Sequence, residues 1–109
     1  MTEEERWKKA EDLAQALRDV DGNEVKKVFA YLVRCRNMNQ LHQLVNQLPN
    51  CTMARRSGRT RGYYQTIRQA VNQHLPANTM AEDALWILGW AVRLLKYEAT
   101  QGSGTARSG

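Results

Sequence analysis

Residues 23–36 read Asn23-Glu24-Val25-Lys26-Lys27-Val28-Phe29-Ala30-Tyr31-Leu32-Val33-Arg34-Cys35-Arg36. Val25, Val28, Phe29, Leu32 and Val33 stand at i, i+3, i+4, i+7 and i+8, the spacing that lines one face of an α-helix with apolar side chains. Lys26, Lys27 and Arg34 fall off that stripe, so their charges face solvent or a partner. No stretch of the chain alternates with a period of two, which leaves helix as the sole building element. The fold class expected is all-α, a compact bundle of about five helices.

Working outward from this helix, a first helix is expected from about Thr2 to Val20, with Trp7, Ala10, Leu13, Ala14 and Leu17 as its stripe. Glu3, Glu4 and Glu5 sit in its first turn, where carboxylates suit the positive end of the helix dipole. Asp21-Gly22-Asn23 separates the two helices with turn chemistry. After Asn37 and Asn39, a third and shorter helix aligns Met38, Leu41, Leu44, Val45 and Leu48, and ends before Pro49. Residues 49–60, Pro49 through Thr60, read as a loop. A fourth helix from about Thr60 to Leu75 buries Tyr64, Ile67, Val71 and Leu75, and Pro76 stops it. Thr79-Met80-Ala81-Glu82 matches a capping box for a fifth helix, whose body from Ala84 to Tyr97 is apolar on most faces. Residues 1–99 therefore read as one helical domain. Residues 100–109, with three Gly and two Ser, read as a disordered, flexible tail.

Charge is unevenly distributed along the chain. Residues 1–50 hold eight basic and eight acidic side chains, whereas residues 51–109 hold eight basic and three acidic, which accounts for the net +5. Between Glu24 and Glu82 there is no carboxylate side chain, although Lys26, Lys27, Arg34, Arg36, Arg55, Arg56, Arg59, Arg61 and Arg68 lie in that span. Like charges repel and weaken a compact state, so a one-sign stretch points to an anionic partner that supplies the missing charge.

The densest part of the stretch is Arg55-Arg56-Ser57-Gly58-Arg59-Thr60-Arg61-Gly62-Tyr63-Tyr64, with four arginines in seven residues. It leads into a helix N-terminus, where free amides and the dipole favour an anion. Arg55, Arg56, Arg59 and Arg61 suit bidentate phosphate contact, and Ser57 and Thr60 add neutral donors. Tyr63 offers an aromatic face to an unstacked base if it lies off the buried stripe. Arg68, Lys26, Lys27 and Arg34 extend the candidate nucleic-acid surface, and a dozen Asn and Gln between Asn37 and Asn78 add polar groups beside it. The segment lacks the Gly-Lys-Ser/Thr end of a nucleotide-hydrolysing loop.

Other chemistry finds little support. Cys35, His42, Cys51 and His74 are spaced too widely for a compact zinc pattern, and no carboxylate pair lies in the acid-free middle for acid–base work. A non-enzymatic protein with no metal and no cofactor is expected. No apolar run approaches the roughly 18–20 residues of a membrane span, and nothing at the start reads as a secretory leader. With only two cysteines, a cytoplasmic location is expected. Trp86 and Trp90 stand four apart on one helical face, either in the core or as an interface to another protein.

The closing helix Asp83-Ala84-Leu85-Trp86-Ile87-Leu88-Gly89-Trp90-Ala91-Val92-Arg93-Leu94-Leu95-Lys96-Tyr97 completes a small, basic, all-helical chain. In size, helix number, charge and this last helix, residues 5–99 or so resemble the small helical subunits of CRISPR effector complexes, type III in particular. The resemblance implies a non-catalytic subunit for antiviral defence, stacked in several copies along a guide RNA–target duplex. Such a subunit contacts backbone phosphates without reading sequence, so the expected partners are nucleic acid, RNA rather than DNA, and other protein subunits or further copies. Two alternatives come from the residues themselves. One is a helix-turn-helix DNA-binding regulator centred on Arg36-Asn37-Met38-Asn39. The other is a helical adaptor that binds protein through Trp86 and Trp90.

Overall fold

The computed structural model describes residues 1–98 with their side chains and carries the backbone of the last helix to Ser108. The tail expected to be disordered, residues 100–109, lies outside the residues so described. The elements are α1 (Glu3–Ala16), α2 (Gly22–Cys35), α3 (Met38–Gln47), a 3₁₀ turn (Leu48–Asn50), α4 (Thr52–Arg56), α5 (Gly58–His74) and α6 (Ala81–Ser108). No strand occurs among the described residues. Five substantial helices thus make the bundle, with α4 as a short sixth.

Side-chain caps set the starts of four helices. Thr2 Oγ1 accepts from the Glu5 amide at 3.1 Å, Asp21 Oδ1 from Asn23 at 2.9 Å, Asn37 Oδ1 from Gln40 at 3.0 Å and Ser57 Oγ from Thr60 at 3.2 Å. Each satisfies an amide that the helix itself leaves orphaned. α2 ends where Arg36 turns left-handed, with φ 48°. Asn37 then caps α3, so two residues suffice to turn the chain.

Three boundaries differ from the sequence reading. The first helix stops at Ala16 rather than Val20: the chain tightens there, the Leu17 amide reaching the Leu13 and Ala14 carbonyls and the Val20 amide reaching Leu17. This still buries Leu17 and Val20. Residues 49–60 are not a loop. Pro49 fits the first turn of the 3₁₀ element, where its missing N–H is no loss. Ala54, fully buried, holds α4 on the core, and α5 starts at Gly58, two residues before the expected Thr60. The capping box at Thr79 is also displaced. The Ala84 amide bonds to the Met80 carbonyl at 2.9 Å, so Met80 occupies the cap position and offers no side-chain oxygen.

The core follows the expected stripes. Ala10, Leu13, Ala14 and Leu17 of the N-terminal segment meet Ala84, Ile87, Leu88 and Ala91 of α6, since α1 and α6 form the closest helix pair. α6 also packs on α2, where Gly89 lets the Phe29 ring approach to 3.2 Å of the place a Cβ would occupy. α3 joins α2 to α5 through Leu41 and Val45, and α5 brings in Ile67, Ala70 and Val71. Val33 alone departs from the α2 stripe, with 41% of its surface exposed. At 100° per residue it stands about 80° from Val25, at the margin of the buried arc.

Candidate nucleic-acid interface

The α4–α5 joint carries the arginine cluster. Arg55 and Arg56 occupy the last turn of α4, Ser57 is the joint itself, and Arg59 and Arg61 lie in the first turn of α5. All four arginines are exposed, and none of them has a carboxylate partner among the described residues. The reason lies in the sequence: no acid stands between Glu24 and Glu82, and the ion pairs present use Asp83, Asp12 and Glu24 elsewhere. Free guanidinium groups in water keep their full hydration and their capacity to release counterions from a polyanion.

Gly58 and Gly62 have ordinary helical conformations, so neither supplies a left-handed turn. The volume a Cβ would fill at each is open, which leaves the α5 backbone accessible on that side. Ser57 has a structural duty as the α5 cap, its oxygen taking the Thr60 amide, while its hydroxyl hydrogen stays available to an acceptor. Thr60 is half-buried. Tyr63 is half-buried and packs against the core, so it presents less of its ring than a free stacking platform would.

The cations of α2 divide between two sides. Lys27 and Arg34 line a groove of about 200 Å³ with Tyr64 of α5 and Leu44 and Leu48. Lys26, one residue before Lys27 and therefore about 100° around the helix, lines a different depression with Arg18 and Asp21. The structure thus brings Lys27, Arg34 and α5 together and separates Lys26 from them. Arg68 lies one turn beyond Tyr64 and is half-buried.

Inside the groove, the Tyr64 hydroxyl donates to Glu24 Oε2 at 2.7 Å. Burial, then the neighbouring Glu24 carboxylate, pushes the Tyr64 phenol up to about 12, so it remains a neutral donor at physiological pH. Glu24 Oε1 accepts from Lys27 Nζ at 3.2 Å. Sequence reasoning passed over Glu24 and Tyr31. Their signal is the recurrence of Glu24, Lys27, Tyr31 and Arg34 at three- and four-residue steps, a second face of α2.

Trp86 and Trp90 gather with Trp7 of α1. Ring centroids lie 5.3 Å apart for Trp7–Trp86, 4.8 Å for Trp7–Trp90 and 6.0 Å for Trp86–Trp90. Arg6 lies over Trp86 at 5.2 Å and Arg93 over Trp90 at 4.6 Å, so cations cover both ends of the cluster. Arg6 also reaches Asp83 at 3.7 Å, though its Nε has no hydrogen-bond acceptor. All three indoles are half-buried.

The remaining candidates have quiet roles. Cys35 and Cys51 are both free thiols, half-buried against the core. Among the described residues no three His, Cys, Asp or Glu side chains gather as a metal site would require, and no helix is long and apolar enough to cross a membrane. Family models, characterised proteins and solved structures contain no match to this chain.

Proposed function

We propose that the chain is a non-catalytic RNA-binding subunit of a cytoplasmic ribonucleoprotein complex, gripping backbone phosphates without reading sequence. The observation that carries this reading is the set Arg55, Arg56, Arg59 and Arg61, exposed on two consecutive helix turns with no carboxylate to neutralise them. Four exposed guanidinium groups within seven residues offer a strand several charged donors for its phosphates at once. The role is the one that the small helical subunits of CRISPR effector complexes fill, in which cleavage belongs to other subunits. Of the alternatives, a regulator reading duplex DNA with α3 lacks a Lys or Arg on that helix for guanine edges. An adaptor built on Trp86 and Trp90 relies on rings that already have Trp7 as their partner.

The test is a salt titration of single-stranded RNA binding. Replacing Arg55, Arg56, Arg59 and Arg61 with Ala leaves helical content intact and lowers the slope of log affinity against log salt, by up to about 0.7 per lost phosphate contact. Scrambled RNAs of one composition bind alike. An unchanged slope in the quadruple variant overturns the assignment of these arginines, and absence of RNA binding at low salt overturns the function.

A further inference from the structure

The groove between α2 and α5 has a chemistry of its own. Lys27 and Arg34 stand on one helical face, seven residues apart, with Tyr31 between them and Glu24 one turn before Lys27. Leu44 and Leu48 supply an apolar wall. α2 and α5 are not a closely packed pair, and the Tyr64–Glu24 hydrogen bond joins them across the opening.

Glu24 is the informative residue. Its side chain is only 15% exposed, and it brings a carboxylate into an otherwise basic surface. Each of its oxygens receives one donor, Lys27 on Oε1 and Tyr64 on Oε2. A carboxylate accepts about four hydrogen bonds, so one further acceptor position per oxygen remains. A single planar group that meets both oxygens at once presents two parallel N–H groups. Among the four RNA bases only guanine does, through N1–H and its 2-amino group. Adenine and cytosine place an acceptor nitrogen beside their amino group, and uracil flanks its single N–H with carbonyls; each would set a lone pair against the carboxylate.

We infer that this groove seats one unstacked guanine of a single strand, an inference that rests on the RNA-binding reading above and adds one base contact to its sequence-independent phosphate grip. Glu24 accepts from the base edge, Tyr31 supplies the aromatic surface beside the ring, and Lys27 and Arg34 meet the flanking phosphates. Charge argues for a nucleotide over an apolar peptide side chain. Two cations line the groove, and Arg61, one of the free arginines of the α4–α5 joint, stands three residues before Tyr64 on α5. The result is a strand held by phosphates along its length and by one base at a single point.

Two RNA octamers test this, one all uridine and one with a single central guanine, measured by fluorescence anisotropy at fixed salt. The guanine octamer binds about tenfold tighter, the usual gain from a bidentate base contact. Glu24→Gln abolishes that preference, because an amide NH₂ then faces the base donors, while its carbonyl can still accept from Tyr64. Tyr31→Ala weakens the guanine octamer about tenfold and Tyr31→Phe restores it, since stacking needs the ring and not the hydroxyl. Thermal melts followed by circular dichroism confirm that the variants fold. If uridine and guanine octamers bind equally and with the expected salt slope, the groove assignment falls and the phosphate-binding function stands. If a guanine preference persists in Glu24→Gln, the groove assignment also falls. If neither octamer binds, both readings fall.

Discussion

His42 shows how one side chain can settle a joint that periodicity cannot. Its Nε2 lies 2.7 Å from the Leu75 carbonyl at the end of α5, and its Nδ1 lies 2.9 Å from Asn72 Oδ1. A carbonyl can only accept, so Nε2 carries a proton and donates, closing one of the acceptors that a helix C-terminus leaves open. Asn72 in turn donates to Asn46 Oδ1 at 3.3 Å, which fastens α3 to α5 a second time. In the sequence, His42 is a lone histidine in a helical pattern, with nothing to mark a partner 33 residues away. His42→Ala is expected to cost about 1–2 kcal/mol, the usual consequence of removing one partner of a part-buried hydrogen bond. Urea unfolding measures it, and RNA affinity at fixed salt stays unchanged.

At the scale of elements, the α4–α5 joint is where sequence reading and structure diverge most usefully. Four arginines, a serine, a glycine and a threonine in a row resemble a solvated loop, because side-chain chemistry there is uniformly polar. What makes helix of it is local and tertiary together: Ala54 buried beneath, and Ser57 Oγ capping the Thr60 amide. The arginines are thereby spaced by helical geometry instead of being scattered along a mobile chain, so less entropy is lost when they meet a partner. Ser57 separates the two roles. Ser57→Ala is expected to lower stability by about 1 kcal/mol through loss of the cap. Ser57→Asp preserves the cap and so the stability, but places a negative charge among four arginines and weakens RNA binding. Thermal melts and anisotropy titrations of the pair read the two effects separately. Equal RNA affinity for Ser57→Asp and the parent chain would remove the joint from the binding surface.

Over the whole molecule, α6 organises the packing, lying against both α1 and α2. Its near-continuous apolar sequence raised the question of whether Trp86 and Trp90 are core or interface. They pack on Trp7, so the first and last helices close the bundle on each other around three indoles. Trp7→Ala is expected to destabilise the chain by about 3 kcal/mol, since it removes an aromatic from two ring contacts and strips cover from α6. Chemical denaturation followed by circular dichroism measures the loss. A change within about 0.5 kcal/mol would show that the cluster contributes little to closing the bundle. The sequence by itself determined the helical class, the buried faces of α1, α2, α3 and α5, and the acid-free basic middle. These depend on local spacing and on which residues are present, both of which a one-dimensional reading contains. Only the tertiary structure decided that Lys26 parts company with Lys27, that Glu24 meets Tyr64 across a groove, that His42 closes α5 and that Trp7 completes the indole cluster. Those are contacts between residues distant in the chain, or consequences of which side of a helix its neighbours cover, and the crossing of the helices fixes them.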